Sequence, residues 1–384
     1  MHNLSTLPMA AILFFSATLA ALYLVPRIRG VLNYKKFRES PNKRSSHTEN
    51  TPNLGGIAFF TIMMVAFYFI HPYDEYNEIM SLIPGLTILF IAGMKDDLVV
   101  LSPGAKLFSQ LMAAAFLVYH YKFSIESMHG FMGIEGMPAW LGAIFGILII
   151  IAVINALNLI DGIDGLASTV GIIMFAGFSV MFYLAGKDML MLTSITMIGI
   201  IAGFLPYNLS KKKKIFMGDT GSMIVGFMLG SMAVRMLAFD YAILEKLPFH
   251  HENLPLVVLA LLALPLFDTA RVFCIRVLNH KSPFKPDRNH IHHIVIDCFR
   301  ISHRRASFFI GLTNFIIILG FSLLAMRASQ LTLILSFAML ILTALVFFFV
   351  LKKRIVLQER NHKYAHRPQS IRTSLASEPS KKSD

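Results

Sequence analysis

The sequence predicts an all-α, polytopic integral membrane protein with about eleven transmembrane helices. Two features of composition support this class: 55% of the 384 residues are hydrophobic and only 15% are charged. The mean hydropathy of +0.63 also lies outside the range of a soluble globular domain. Finally, the apolar residues occur in runs of about 20, which is the length of one bilayer-spanning helix.

Eleven apolar runs follow one another, each bounded by charged residues or by Gly and Pro. They lie at 7–27, 54–71, 79–94, 104–121, 139–159, 167–185, 189–207, 221–239, 254–277, 307–326 and 331–351. No basic segment precedes the first run, and it is long enough to span a bilayer. We therefore interpret it as a retained helix and not as a cleavable signal.

The net charge of +13 is explained either by nucleic-acid binding or by membrane orientation. With the N-terminus outside, the alternation of spans places most Lys and Arg on the inside. The basic residues left outside are Lys122, Lys187, Lys246 and Arg327. This bias predicts an outside N-terminus, a cytoplasmic C-terminus and no nucleic-acid partner.

One transmembrane domain is predicted over 1–355, followed by a polar, disordered cytoplasmic tail at 356–384. Cys274 and Cys298 have no zinc-type spacing, and a disulfide framework is not expected. No internal repeat of the kind common in transporters is present. Apart from Arg235, Asp268 and Arg271, the mid-span positions are apolar.

Four polar clusters fall at the inside ends of spans. They are Lys95–Asp97, Asn155–Gly165, Phe216–Ser222 and Asp287–His293. The outer loops carry nothing comparable. Because carboxylates beside hydrocarbon are costly, these clusters are candidates for function.

Asp96 and Asp97 are adjacent carboxylates that repel each other unless a cation lies nearby, and Lys95 is their only neighbour of opposite charge in the sequence. A divalent ion or a proton-accepting role explains the pair, and a solvated helix end is the alternative.

Asn155, Asn158 and Asp161 share one helical arc at about 100° per residue. Gly162 and the glycine after Asp164 break the helix and turn Asp164 back toward the others. Amide and carboxylate oxygens suit Mg²⁺ or Mn²⁺. The alternative is a polar helix cap.

Asp219 opens the span at 221–239, where it is either an N-cap or a metal ligand. In the second case the helix N-terminus would also help to hold a pyrophosphate. We interpret the nearby basic run, Lys211–Lys214, as a topology signal and not as part of a site.

His290, His292 and His293 follow Arg288 closely. They form a metal site, an anion site or a solvated basic loop. Without cysteine or a clear fourth ligand we favour anion binding, with Arg288 supplying a bidentate fork.

In this order, the clusters resemble the polyprenyl-phosphate N-acetylhexosamine-1-phosphate transferases of glycosyltransferase family 4, in the branch that uses N-acetylglucosamine and undecaprenyl phosphate. The resemblance covers about 40–295. Its motifs are Asp96-Asp97 with Ser102-Pro103 and Lys106, Asn155 to Asp164-Gly165-Leu166-Ala167, Phe216 to Ser222, Asp287-Arg288 to His293, and an inside segment with Arg44, His47, Pro52 and Gly55-Gly56. Asn208 lacks the Pro-Ala that usually follows it in the family, so no role is carried over to it.

The resemblance implies Mg²⁺ or Mn²⁺ held by Asp219, with Asn158 contributing. It further implies nucleotide-sugar contacts from Asn155, Asp161 and Asp164.

The same resemblance places Asp96 or Asp97 at the lipid phosphate, with Lys106 steadying phosphate charge. The His290–His293 loop, with Arg288, would contact the donor diphosphate or its sugar. We expect Asp96 to accept the proton of the lipid phosphate, supported by Asp97.

The expected reaction transfers N-acetylglucosamine 1-phosphate, or a related N-acetylhexosamine 1-phosphate, from a UDP-N-acetylhexosamine to undecaprenyl phosphate. It releases UMP at the cytoplasmic side of the bacterial inner membrane and starts a lipid-linked envelope glycan. A phospho-MurNAc-pentapeptide transferase is the alternative within the family, disfavoured because Ile291 interrupts the histidines. A multi-span transporter is the alternative from another class, and a homodimer is left open.

Overall fold

The computed structural model describes residues 2–34, 53–280 and 289–365, and most of these residues are helical. The helices in these ranges are α1 (His2–Tyr34), α2 (Gly56–Ile70), α3 (Glu78–Leu98), α4 (Pro103–Val118), α5 (Ala139–Ile160), α6 (Leu166–Ala185), α7 (Asp188–Asn208), α8 (Gly218–Leu237), α9 (Tyr241–Leu244), α10 (Leu254–Leu261), α11 (Ala263–Leu278), α12 (Ile291–Phe299), α13 (His303–Ala325) and α14 (Gln330–Ala365).

Every one of the predicted apolar runs is helical, and the all-α polytopic class is confirmed. Within the described ranges, nine helices are long and apolar enough to cross a bilayer, and the number rises to ten if one bent pair forms a single span. The run at 104–121 produces α4, whose 16 residues are short for a straight crossing.

The bent pair is α10 and α11, whose axes differ by 70°. The predicted run at 254–277 therefore forms two helices with a sharp bend between them. Pro265 lies in the first turn of α11. Its ring lacks an N–H and clashes with the carbonyl four residues earlier, at Leu261, so that a continuous helix is disfavoured there.

Helix α8 lies at the centre of the bundle, where its apolar stretch is 100% buried, against 17% for that of α14 at the periphery. It packs against α2, α3 and α5. Small residues allow this approach: a Cβ on Gly226 would lie 2.6 Å from the Cα of Ile154. Because α3 and α8 are antiparallel, the end of α3 meets the start of α8.

A two-stranded antiparallel hairpin, β1 (Ser127–Phe131) and β2 (Ile134–Gly136), precedes α5. Met132 and Gly133 form its turn with φ of 52° and 78°, the sign that a type I′ turn requires at both positions. This hairpin was not predicted from the sequence, because each strand is too short to show a period of two.

Helix α14 continues to Ala365, past the predicted domain boundary at 355. The rest of the predicted tail, 366–384, lies outside the described residues. The segment that carries Arg44, His47 and Pro52, and the positions of Asp287 and Arg288, also lie outside them.

Candidate active site

The last turn of α3 is joined to the first turn of α8 through Asp97. Its carboxylate accepts hydrogen bonds from the backbone N–H of Asp219 at 2.8 Å and of Thr220 at 3.0 Å, and from the Thr220 hydroxyl. A side chain at Gly218 (φ 74°) would collide with Asp97 and with the backbone oxygen of Asn53. Asp97 therefore acts as the cap of α8 and fixes the position of Asp219.

This capping changes one expectation from the sequence. A pyrophosphate was expected at the N-terminus of α8, but the N–H groups of Asp219 and Thr220 already donate to Asp97. The Asp219 side chain is not the N-cap of the helix either, because Met217 occupies that position. The Asp219 side chain can therefore contact residues of other helices.

Lys106 connects three of the predicted clusters. Its Nζ lies 3.0 Å from Asp96 Oδ2, 2.8 Å from Asp219 Oδ1 and 3.3 Å from Asn158 Oδ1. Ser102 caps α4 by accepting a hydrogen bond from Ala105 N, which places Lys106 in the first turn. The cation that balances Asp96 is thus Lys106, from the next helix, and not the adjacent Lys95.

Asn158 completes this contact network from α5. Its Nδ2 donates to Asp219 Oδ1 and, at 2.9 Å, to Ser222 Oγ. Asp96, Lys106, Asn158 and Asp219 are therefore brought together as the sequence predicted. We call these four residues the carboxylate–lysine cluster.

Asp161 follows the last residue of α5 and is half-buried. Among the described residues its carboxylate has no hydrogen-bond or ion-pair partner. Burial raises the pKa of Asp161 well above its ordinary value, and the negative charges of Asp219, Asp97 and Asp164 raise it further. This carboxylate would become ionised most readily beside a cation.

Asp164 lies in the turn between α5 and α6, where Lys214 Nζ contacts its Oδ2 at 2.7 Å. Lys214 also lies 5.1 Å from the centre of the Phe216 ring. The interpretation of Lys211–Lys214 as a topology signal therefore missed one residue of the site. This pairing could not be predicted locally, because Lys214 and Asp164 are 50 positions apart in the chain.

Asn208 connects the turn between α5 and α6 to the segment between α7 and α8. Its Oδ1 accepts a hydrogen bond from Gly165 N at 2.7 Å, and its Nδ2 donates to Ile215 O at 3.2 Å. It is 3% exposed. No family role was transferred to Asn208 because the Pro-Ala is missing after it. In the structure, its hydrogen bonds position both of these segments.

Asn155 is a predicted substrate contact whose side chain is already engaged. Its Nδ2 donates to Gln110 Oε1 at 2.7 Å and to Ile151 O at 2.8 Å, and its Oδ1 accepts from Gln110 Nε2. Gln110 is fully buried. Asn155 thus joins α4 to α5, and its amide is not left open for a nucleotide sugar.

The histidine loop reaches the site through His292, whose ring packs on the Gly162 turn. A Cβ on Gly162 would lie 2.3 Å from His292 Nε2. Burial lowers the pKa of His292 to about 3, so that the ring is neutral near pH 7. It offers an anion an N–H donor but no charge.

His290 and His293 flank this ring, with centroids 5.9 and 4.3 Å from that of His292. His290 is buried beside Asp268, whereas His293 is partly exposed. Arg288, the predicted bidentate anion ligand, is outside the described residues.

The site fits a magnesium-type ion only in part. In the ranges that the structure describes, no three His, Cys, Asp or Glu side chains are grouped closely enough for a metal ion. The oxygens of Asp161, Asp219 and Asn158 are nonetheless hard donors, and no partner for the Asp161 carboxylate lies in the part of the chain that the structure describes. One or two carboxylates are enough for Mg²⁺, which usually keeps several waters and binds substrate phosphates.

Comparisons with known proteins agree with the sequence motifs. Residues 79–237 match the model of the family described as glycosyl transferase family 4. A probable undecaprenyl-phosphate N-acetylglucosaminyl 1-phosphate transferase of Bacillus subtilis is 28% identical over 87% of this chain and 90% of its own length. A Yersinia pestis protein named undecaprenyl-phosphate alpha-N-acetylglucosaminyl 1-phosphate transferase is 28% identical over 90% of both chains.

A third relative is named for another lipid. The decaprenyl-phosphate N-acetylglucosaminephosphotransferase of Mycolicibacterium smegmatis is 31% identical over 51% of this chain and 43% of its own length. The family resemblance read from the motifs is confirmed by these matches.

Proposed function

We propose that this protein transfers N-acetylglucosamine 1-phosphate from UDP-N-acetylglucosamine to undecaprenyl phosphate and releases UMP. The observation that carries the proposal is the carboxylate–lysine cluster, which gathers Asp96, Lys106, Asn158 and Asp219 from four helices. The names of the relatives indicate the same transfer, and nearly the full length of two of them is matched.

In this mechanism Lys106 screens the repulsion between two anionic reactants. An oxygen of the lipid phosphate attacks the β-phosphorus of the UDP-sugar, the bond to the UMP oxygen breaks, and UMP leaves with that electron pair. Phosphoryl transfer depends mainly on positioning and on charge stabilisation. Lys106 sits between Asp96 and Asp219, where both reactants would approach it.

Asp96 and Asp97 were expected to act on the lipid phosphate directly. We assign them positioning roles, because Asp96 binds Lys106 and Asp97 holds the first turn of α8. A phosphate monoester near neutral pH is already largely ionised, so the attack needs no proton acceptor.

Mg²⁺ or Mn²⁺ would be held by Asp219 and Asn158, with Asp161 as a nearby carboxylate that has no partner among the described residues. When bound, such an ion supplies charge neutralisation on the phosphates. Asp164, Lys214 and the neutral His292 would contact the nucleotide-sugar from the opposite side of the turn.

We place the protein in the bacterial inner membrane with this site on the cytoplasmic side. Lys106 and Lys211–Lys214 lie at the end of the bundle that holds the site, in agreement with the positive-inside bias. The UDP-sugar donor is a cytoplasmic metabolite class, so this side also gives it access.

The test uses purified protein in detergent with undecaprenyl phosphate, Mg²⁺ and a panel of radiolabelled UDP-sugars that includes UDP-MurNAc-pentapeptide. We expect UMP, not UDP, together with a labelled lipid from UDP-N-acetylglucosamine, and no product after EDTA treatment. Release of UDP would overturn the reaction type. Lipid product from UDP-MurNAc-pentapeptide alone would reassign the donor, and label crossing vesicles without lipid product would favour a transporter.

A further inference from the structure

We propose that Asp268 is a positioning residue that holds the histidine loop against the active-site turn. Its side chain, on α11, is 3% exposed. Asp268 Oδ2 lies 2.9 Å from His290 Nδ1, and its Oδ1 accepts hydrogen bonds from Ile291 N at 3.0 Å and Arg271 Nη2 at 2.7 Å. Both oxygens of a buried carboxylate are thus used on the segment that begins α12.

Arg271, one turn further along α11, strengthens the same attachment. Its Nη2 also donates to the backbone oxygen of Asn289 at 2.6 Å. Three consecutive residues, 289–291, are therefore bound to a single turn of α11. Breaking a buried charged network of this kind leaves an uncompensated charge, so the attachment tolerates little displacement.

The Asp268 carboxylate also replaces a missing local cap. His290 is the N-cap residue of α12, but its side chain makes no capping hydrogen bond. The N–H of Ile291 is satisfied instead by Asp268, which lies on another helix. The start of this nine-residue helix is consequently fixed by tertiary contact and not by its own sequence.

The contact also selects the tautomer of His290. A carboxylate oxygen only accepts hydrogen bonds, so Nδ1 of His290 carries the proton that lies toward Asp268. In the neutral ring Nε2 is then an acceptor, and it lies 3.5 Å from Arg276 Nη2. Asp268 thereby orients a ring that the sequence had identified as a substrate contact.

Two residues after His290, His292 packs on Gly162, next to Asp161. The beginning of α12 therefore determines where His292 and His293 stand relative to the carboxylates. Asp268 does not need to touch substrate in order to affect donor binding. This kinetic consequence rests on the proposed function, whereas the anchoring of α12 does not.

The test compares Asp268→Asn with wild type and with Asp240→Asn, whose parent carboxylate is 70% exposed at the other end of the bundle. The amide of Asn keeps one acceptor but presents N–H₂ to the His290 N–H. We expect hydrogen exchange of the amides in 290–299 to accelerate about tenfold and exchange elsewhere to stay unchanged. In the transfer assay the KM for the UDP-sugar should rise about tenfold while the KM for undecaprenyl phosphate stays constant.

A general loss of folded protein would have a different signature, because it lowers kcat, leaves both KM values unchanged and accelerates exchange throughout. If Asp268→Asn does not fold, Asp268→Glu, which keeps the charge, should show the same exchange pattern to a smaller degree. Unchanged exchange in α12 overturns the proposal. Faster exchange with an unchanged donor KM supports the anchoring of α12 and overturns its effect on donor binding. A wild-type protein without UMP release would overturn the proposed function, and the exchange measurement would still decide the anchoring role.

Discussion

The charged groups at the two ends of α8 are organised differently. At the far end, Arg235 in the last turn pairs with Glu78 in the first turn of α3 at 2.9 Å, with side chains 1% and 3% exposed. The cation lies at a helix C-terminus and the anion at a helix N-terminus, so that both helix dipoles favour the pair. One positive charge meets one negative charge.

Among the described residues of the site, at the other end, carboxylates outnumber cations. Lys106 contacts both Asp96 and Asp219, while Asp161 has no partner among the described side chains. This excess of negative charge lowers the stability of the fold unless a further cation binds there. We infer that the balanced pair stabilises the bundle, whereas the unbalanced cluster is retained for binding and catalysis.

Among the variants that distinguish the two ends of α8, Asp219→Asn is expected to have the largest effect. The variant removes the charge that Lys106 and a divalent ion would share, at nearly constant volume. We expect kcat for UMP release to fall about 10³-fold, with a midpoint of thermal unfolding in detergent within about 2 °C of wild type. A large loss of thermal stability with normal turnover would reverse the roles of the two ends.

Glu78→Gln should produce the opposite result. Loss of the partner leaves Arg235 buried and uncompensated, which costs about 3–5 kcal/mol in other proteins. We expect a much lower unfolding midpoint but an unchanged kcat per folded molecule, measured by active-site titration against folded protein. The double variant with Arg235→Met should recover part of the lost stability, and failure to do so would argue against a simple charge pair.

Substitutions at two glycines test the same difference between the two ends of the bundle. Gly162→Ala places a methyl group against the His292 ring, so we expect the KM for the UDP-sugar to rise about tenfold with little change in stability. Gly142→Ala at the opposite end would bring a methyl group into the backbone oxygen of Ile125. That variant should destabilise the protein and leave the KM unchanged. Equal effects of both variants on the KM for the UDP-sugar would contradict the division of functional and structural roles between the two ends.

The smallest effect concerns Asp161. Because its pKa is raised in the folded protein, ionisation at higher pH destabilises the metal-free fold. This cost decreases once the pH falls below the raised pKa and disappears near the ordinary value of 3.8. At pH 8 in EDTA, Asp161→Asn should therefore be more stable than wild type by about 1 kcal/mol, or a few degrees in the unfolding midpoint. The difference should narrow as the pH falls toward 4. Mg²⁺ should stabilise wild type more than the variant, and equal stabilisation would exclude Asp161 from the ion site.

The local pattern of the sequence was enough to predict the helices and three of the clusters. Apolar runs of bilayer length define spans wherever they occur, since unpaired backbone groups are not tolerated in hydrocarbon. The bend at Pro265 was the exception. The run at 254–277 is apolar on both sides of the proline, and hydropathy alone does not show a change in the direction of the helix axis. The short hairpin at 127–136 was missed for the same lack of a periodic signal.

What the sequence determined by itself is the class of fold and the identity of most polar side chains at one end of the bundle, because the composition of each run fixes where it lies relative to the membrane. Only the tertiary structure decided which of these side chains meet. Lys106 was found to lie between Asp96 and Asp219, Lys214 beside Asp164, and Asp268 beside His290. These partners are 10 to 113 positions apart and are joined by helix packing, a long-range property that no local pattern encodes.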